Sequence, residues 1–124
     1  MPATLDDVAK IALSLSDVVE GERHGGRIWG FPNKKGKLTV IAWERGYSKA
    51  DLKRFGDVVP PEGPNVAVWT DDLHTKEAIL AEAARGVFTI EHFNNYPLLL
   101  IHLKTVSKKT LREMIVDSYE AKRP

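Results

Sequence analysis

The four histidines are the first side chains in this sequence that could carry chemistry, because imidazole titrates near neutral pH and binds transition metals. They stand at His24, His74, His92 and His102. No pair has the His-x-x-x-His spacing of a helical zinc site, and the chain has no cysteine to supply a thiolate. We therefore expect no metal, and we interpret His102, on an apolar strand, as a structural residue.

Two of these histidines, His24 and His92, lie in polar segments where a titrating group could meet a ligand. Trp69, at the end of an apolar run, could join them in a pocket between a sheet and its loops. The sequence places no nucleophile and no orienting acid beside either histidine. The pocket of His24, Trp69 and His92 is therefore a candidate site for a small molecule or an anion, and an enzymatic role for it stays open.

The sequence motifs of the common enzyme and nucleotide-binding classes are not found. Gly21, Gly25, Gly26 and Gly30 match neither the dinucleotide fingerprint nor the Walker pattern. The chain has no Gly-x-Ser-x-Gly elbow, and paired carboxylates such as Asp71-Asp72 fall where helices are expected to begin. We therefore expect no catalytic residues and no cofactor.

A basic, aromatic hairpin is the clearest sign of a binding surface. Two β-prone runs, 27–31 and 37–43, flank a turn cluster of Pro, Asn and Gly. Four cations gather at its turn and flanks, and three aromatic rings lie along its strands: Arg27, Lys34, Lys35 and Lys37, with Trp29, Phe31 and Trp43. A basic tip on an aromatic body is typical of a nucleic-acid-binding wing. The alternative is that the lysines only solubilise the tip and the rings are core.

A second group of cations stands at the start of the last helix, where Ser107 is the expected N-cap. Lys104, Lys108 and Lys109 lie at the positive end of the helix dipole, which they oppose. A helix start with extra cations suits anions, so a phosphate backbone or an acidic metabolite would bind there. Ordinary solvent-exposed lysines are the alternative.

The elements that must position these residues alternate between helix and strand. Apolar spacing and capping residues predict helices over about 5–15, 49–55, 73–84 and 108–119. β-prone runs predict strands over 27–31, 37–43, 66–70, 87–90 and 98–103, whereas the polar stretch 20–26 and the proline-rich stretch 57–65 are predicted as loops. This order predicts an α+β fold in two layers, a mostly antiparallel sheet of about five strands packed against helices.

The composition limits the class of protein. The chain has 124 residues, of which 43% are hydrophobic and 28% charged, and this predicts one soluble domain, 1–124, with one core. The 18 Lys and Arg against 17 Asp and Glu give a net charge of +1, so any attraction for nucleic acid must be local. The N-terminus is acidic where a signal peptide is basic, and the longest apolar run, 98–101, is too short to span a membrane. We therefore expect a cytoplasmic protein.

Several segments together resemble the MmcQ/YjbR-like family of small bacterial proteins. The resemblance covers nearly the whole chain and lies in the order and spacing of Leu5-Asp6-Asp7-Val8, Ala12–Leu15, Glu20–Gly25, Ala42-Trp43-Glu44-Arg45, Lys76–Leu80, Val87–Thr89, His92-Phe93, Tyr96-Pro97 and Leu100–Leu103. It implies a CyaY-like α+β fold and DNA binding through two winglike hairpins, which would be 27–43 and 87–103 here. It implies no catalytic residues and no cofactor. The sequence departs from a DNA binder in one respect, because the loop 91–97 has no Lys or Arg.

Three functions are consistent with the sequence. The first is a non-enzymatic binding protein with DNA as its partner, contacted by the hairpin cations and the cations at the start of the last helix. The second is a small-molecule or anion-binding protein, which could be an enzyme, with the pocket of His24, Trp69 and His92. The third is a protein-interaction domain that uses exposed aromatic side chains such as Trp29 or Trp43.

Overall fold

The computed structural model describes residues 2–123, which form four α-helices and six β-strands. The helices are α1 (Leu5–Leu13), α2 (Lys49–Phe55), α3 (Leu73–Ala81) and α4 (Lys108–Lys122). The strands are β1 (Val19–Arg23), β2 (Gly26–Pro32), β3 (Leu38–Glu44), β4 (Asn65–Trp69), β5 (Val87–Phe88) and β6 (Leu98–His102), and a 3-10 turn spans Glu91–Phe93. The strands pair in the order β1-β2-β3-β4-β6-β5, with every pair antiparallel. The predicted α+β fold with an antiparallel sheet is confirmed, and the sheet is open, not closed into a barrel.

The two faces of the sheet are covered differently. One face, which we call the helical face, packs against α1 and α4 around the larger core, whose fully buried members include Trp29, Ile41, Leu99, Ile101, Leu111 and Ile115. The other face, which we call the open face, carries a smaller cluster centred on Ala67, Leu98 and Leu100. Ile90 and Phe93 cover part of that cluster, and Trp43 and Trp69 are only partly buried against it. The open face therefore leaves aromatic surface accessible.

Capping residues begin the helices where the sequence predicts them. The N-caps are Thr4, Ser48, Asp72 and Ser107, and each side chain accepts a hydrogen bond from the backbone N–H three residues on. At α1 and α2 the aspartate at that third position bonds back to the cap, which completes a capping box. Each such cap stabilises a helix by about 1 kcal/mol. At α3 the Asp72 carboxylate accepts from the Thr75 N–H at 2.7 Å, so Asp72 is the cap.

The first strand, β1, was predicted as a loop. Its residues pair with β2 from Val19↔Gly30 to Arg23↔Gly26, and a two-residue turn of His24 (φ 53°) and Gly25 (φ 78°) joins the strands. Positive φ at both central positions matches the twist of a tight hairpin. The loop prediction was wrong because β1 is an edge strand whose side chains are mostly exposed, so it lacks the apolar alternation that marks a half-buried strand. The sheet therefore has six strands where about five were expected.

The C-terminal half has shorter elements than predicted. The helix α3 ends at Ala81, just before the positive φ of Ala83 (54°). The strand β5 contains only Val87 and Phe88, because Ile90 turns into the 3-10 segment and is buried in the smaller core. The segment after β5 therefore packs against the open face and does not project from it.

Ser118 fills a gap between β3 and β4. The ladder between these strands ends at Ala42↔Val68, next to a bulge that leaves Ile41 without a partner in β2. The Ser118 hydroxyl donates to the Ile41 carbonyl oxygen at 2.6 Å and accepts from the Trp69 N–H at 3.0 Å. The Trp69 indole N–H donates to the Val40 carbonyl oxygen at 3.0 Å. These bonds fix the Trp69 side chain beside β3.

Candidate functional site

The tip of the β2–β3 hairpin is a hydrogen-bonded turn with three exposed lysines. The Asn33 side chain accepts hydrogen bonds from the N–H groups of Lys35 (2.9 Å) and Lys37 (3.2 Å), and Gly36 supplies the positive φ of 74° that closes the turn. Lys34, Lys35 and Lys37 are exposed, and none of them forms an ion pair within residues 2–123. The hairpin tip therefore presents three unneutralised ammonium groups.

Arg27 does not belong to this tip. It lies at the opposite end of β2, where its guanidinium donates to Asp6 at 2.9 Å and twice to Glu20 at 3.0 Å. The hydrogen bonds from Arg27 lower the pKa of Glu20 below its ordinary value, and Glu20 also accepts from the Trp29 indole N–H at 2.9 Å. Arg27 therefore joins α1, β1 and β2, and its charge is already neutralised.

The cations at the start of α4 are also separate from the hairpin tip. The last turn of α4 is near the tip, since Tyr119 packs edge-on against Phe31, whereas Lys108 lies at the first turn. A helix of 15 residues is about 22 Å long, so the two groups of cations lie far apart. Lys104 pairs with Glu62 at 3.8 Å and Lys108 with Asp7 at 3.9 Å, while Lys109 is exposed. The seven predicted anion-binding cations therefore do not form one surface.

Two of the aromatic side chains of the hairpin are core residues. Trp29 is fully buried and Phe31 nearly so, and both pack on the helical face. Trp29 therefore offers no exposed surface for a protein partner, which corrects that expectation. The segment expected as a second wing is likewise held down on the open face by the buried side chains of Ile90 and Phe93. The buried Lys76 ammonium holds the same segment, donating to the Tyr96 carbonyl at 2.8 Å and to that of Phe93.

The open face contains a cavity of about 350 Å³ beside the hairpin, which we call the tryptophan cavity. It is lined by Arg23, Leu38, Thr39, Val40, Trp43, Trp69 and Lys122. The rings of Trp43 and Trp69 are 5.8 Å apart and tilted by 53°, and the Lys122 ammonium lies 3.7 Å from the centre of a Trp69 ring. All the charged side chains among these lining residues are cations. The cavity therefore combines aromatic surface with positive charge.

A second cavity of about 540 Å³, which we call the turn cavity, adjoins the first and shares Arg23 and Trp43 with it. Its other lining residues are His24, Gly25, Gly26, Ile28, Glu44, Arg45, Gly46 and Ser48. Arg45 is held in place, because its guanidinium donates to Asp51 at 2.8 Å and to the Gly46 carbonyl. Burial raises the pKa of Asp51, but hydrogen bonds from Ser48 and Arg45 outweigh it, so the pKa lies below its ordinary value. This carboxylate neutralises Arg45 in part.

The three residues of the expected pocket are not brought together. His24 lines the turn cavity and Trp69 the tryptophan cavity, so these two lie on adjoining parts of the open face. His92 lines a third cavity of about 190 Å³ beside Asp51 and Phe55, where its ring stacks against Tyr96. His102 lies on β6 with its Nδ1 2.9 Å from the Thr105 hydroxyl. The candidate site therefore includes His24 and Trp69 without His92.

Sequence reasoning missed Arg23, Lys122 and Glu44 as site residues. Arg23 lies in the strand that was predicted as a loop, so its place opposite Gly26 was not foreseen. Lys122 comes from the last turn of α4, and no local pattern connects it with Trp69. The useful signal was the pair of tryptophans, because partly buried tryptophans on one sheet face commonly border a binding surface.

Residues 2–123 contain neither a cluster of metal ligands nor a membrane-spanning helix. No group of three or more His, Asp or Glu side chains is placed to hold a metal ion in this part of the chain. None of the helices described here is long and apolar enough to cross a membrane.

Comparison with known proteins shows relatives along the whole chain. The uncharacterized protein Mb2600 of Mycobacterium bovis is 34% identical, with 98% of this chain and 90% of the relative covered. The uncharacterized protein Rv2570 of Mycobacterium tuberculosis shows the same identity and coverage. The chain belongs to the family of these mycobacterial proteins. No family model matches the chain. No solved structure matches it.

The names of these two relatives state no activity and no ligand. The family relationship therefore adds no site residue to those that the geometry brings together.

Proposed function

We propose that the protein is a non-enzymatic binding protein of the cell interior whose ligand is single-stranded nucleic acid, bound on the open face beside the basic hairpin tip. The observation that carries this proposal is the lining of the tryptophan cavity, where two tryptophans and two cations meet and no carboxylate is present among the lining residues. Proteins that bind single strands combine aromatic side chains, on which bases stack, with cations along the backbone path.

The tryptophans have different roles in this proposal. Trp69 is fixed by its indole hydrogen bond to Val40, and Lys122 already covers a face of its ring. Trp43 lines both cavities, so a base bound in either of them can stack against its ring. Stacking of one base on an aromatic side chain contributes about 1–3 kcal/mol and is insensitive to sequence. Trp43 is therefore the main stacking residue.

The cations supply the contacts to phosphate. Arg23 and Lys122 line the tryptophan cavity, and Leu38, which follows the hairpin tip, lines it too. The three tip lysines lie next along the chain and are not neutralised within the described residues. A backbone that runs from the tip to Arg23 would meet five cations. The resemblance to the MmcQ/YjbR-like family, with its implied DNA binding, also supports a nucleic-acid ligand. In this proposal the strand lies on a sheet face and not between two wings.

The test is the salt dependence of binding to a fluorescent 12-nucleotide single strand, measured by anisotropy. Five phosphate contacts predict a slope of log K against log salt of about −3.5, and Lys34→Ala/Lys35→Ala/Lys37→Ala should flatten it to about −1.4. A matched control, Lys10→Ala/Lys53→Ala/Lys109→Ala, removes the same charge from exposed lysines that line neither cavity. The control should keep the steep slope.

Three results would contradict the proposal. No binding at low salt would exclude nucleic acid altogether, and equal loss in the two triple variants would show non-specific attraction. Tighter binding of a duplex of the same sequence, unaffected by Trp43→Leu, would favour a hairpin wing on duplex DNA over stacking on the open face. Trp43→Leu should weaken binding of the single strand roughly 5- to 150-fold if one base stacks there.

A small phosphate ester is the second candidate ligand, favoured by the finite size of the turn cavity, about 540 Å³. A mononucleotide that competes with the 12-nucleotide strand at similar concentration would identify this function, because a true single-strand binder gains affinity from every further phosphate contact.

A further inference from the structure

The turn cavity contains one carboxylate, Glu44, and two guanidinium groups, Arg23 and Arg45. Glu44 uses its Oε1 to accept the Arg27 backbone N–H at 3.1 Å. It forms no ion pair within residues 2–123, although Arg23, His24 and Arg45 line the same cavity. A carboxylate has about four acceptor positions, so most of the acceptor capacity of Glu44 is free for a ligand.

Arg23 is the free guanidinium of the same cavity. It is exposed at the end of β1, and within the described residues it has no hydrogen-bonded or ion-paired carboxylate. Its cross-strand neighbour is Gly26, where an added Cβ would lie 3.5 Å from Glu44 Oε1. That distance is an ordinary van der Waals contact, so Gly26 needs no more room than it has, and it places no side chain of its own between Arg23 and Glu44.

Guanine is the base whose two edges match these two groups. Its Watson–Crick edge carries two neighbouring donors, N1–H and the N2 amine, which a carboxylate can accept together. Its other edge carries the acceptors O6 and N7, to which arginine donates in pairs. Adenine, cytosine and thymine each place an acceptor beside their Watson–Crick donor, so each would bring a lone pair against the carboxylate. Bases of a single strand are open to contact on both edges.

We propose that the turn cavity selects guanine, with the base stacked on Trp43, its Watson–Crick donors bound by Glu44 and its O6 and N7 bound by Arg23. This inference rests on the proposed function, since it assigns a base to one of the two cavities that the single strand would cross. It makes Glu44 the residue that determines specificity, while the tip lysines determine affinity.

The test compares four 12-nucleotide strands by anisotropy at one salt concentration: oligo-dT, and the same strand with one central guanine, hypoxanthine or 7-deazaguanine. The guanine strand should bind roughly 5- to 150-fold tighter than oligo-dT. Hypoxanthine lacks the N2 amine and 7-deazaguanine lacks N7, so each should lose part of this preference with the wild-type protein, without any change to its fold.

The matching protein variant is Glu44→Gln, which keeps an oxygen for the Arg27 N–H and removes the charge. It should bind oligo-dT at least as well as the wild type and lose the preference for guanine over hypoxanthine. Glu22→Gln is the control, because Glu22 is an exposed residue of β1 that lines neither cavity. It should keep the full preference.

The possible failures are distinguishable. Equal affinity for all four strands, with a steep salt slope, would overturn guanine selection and leave single-strand binding intact. A guanine preference that persists in Glu44→Gln would overturn the assignment to this carboxylate. No binding of any strand would overturn the inference together with the proposed function.

Discussion

Replacing Ser118 with alanine should lower the free energy of unfolding by about 2–6 kcal/mol. The Ser118 hydroxyl is fully buried and bridges the Ile41 carbonyl and the Trp69 N–H, which have no other partner across the gap between β3 and β4. A buried polar group left without its partner costs about 1–3 kcal/mol, and this substitution leaves two. The loss is large beside the total stability of about 5–15 kcal/mol of an ordinary domain.

Urea unfolding followed by circular dichroism measures this loss, because the shift in midpoint multiplied by the slope gives the change in free energy. Ser16→Ala is the control, since Ser16 is exposed and its side chain makes no hydrogen bond within the described residues, and it should change stability by less than about 0.5 kcal/mol. A loss below about 1 kcal/mol in Ser118→Ala would refute the reasoning, because it would mean that β3 and β4 close the gap and bond directly. The same variant should also weaken single-strand binding, since Trp69 loses one of its two anchors.

Two other substitutions test the backbone contact and the ion pair that support the site. Gly30→Ala would place a Cβ 2.3 Å from the Thr39 carbonyl oxygen and 2.9 Å from the Val40 Cα, so it should destabilise the fold by about 3 kcal/mol in urea unfolding, whereas Gly46→Ala, with open space around it, should be neutral. Asp51→Asn should cost about 1.5–3 kcal/mol at pH 7, because a charged hydrogen bond to Arg45 is lost. The pKa of Asp51 is below its ordinary value of 3.8 in the folded state, so this stabilisation is present above pH 3.8 and disappears as the pH falls through the folded pKa. The stability difference between Asp51→Asn and the wild type should therefore narrow below pH 3.8, and a constant difference would contradict this role of Asp51.

The helices and most strands could be predicted because their signals are local. Ser48 and Asp51 form a capping box within four residues, and Gly56 ends the same helix, so the sequence of that segment contains all the information. The strand β1 was missed because its exposed side chains, including Glu20 and Glu22, show no apolar face. An edge strand of this kind forms because its backbone hydrogen-bonds to the neighbouring strand β2, and its own side chains give little signal.

The site was less predictable because it depends on the bulge in β3. Alternation along a strand would place Ile41 and Trp43 on the same face. The bulge instead turns Ile41 into the core of the helical face, leaves Trp43 on the open face, and sets Val40 opposite Gly30. Nothing in the local sequence marks this extra residue. Arg23 and Lys122 are far apart in the sequence but line the same cavity, and only the tertiary structure reveals this.

The edge position of β1 has a consequence for self-association. If two copies paired antiparallel along this strand about Gly21, Glu20 of each copy would stand opposite Glu22 of the other, and like charges directly opposite are destabilising. Glu20 is paired with Arg27, but this one cation faces the carboxylates of both Glu20 and Asp6, so the group keeps a net negative charge. The other edge of the sheet is β5, whose two residues are too short a template for a second strand. One edge is therefore protected from aggregation by charge and the other by its length.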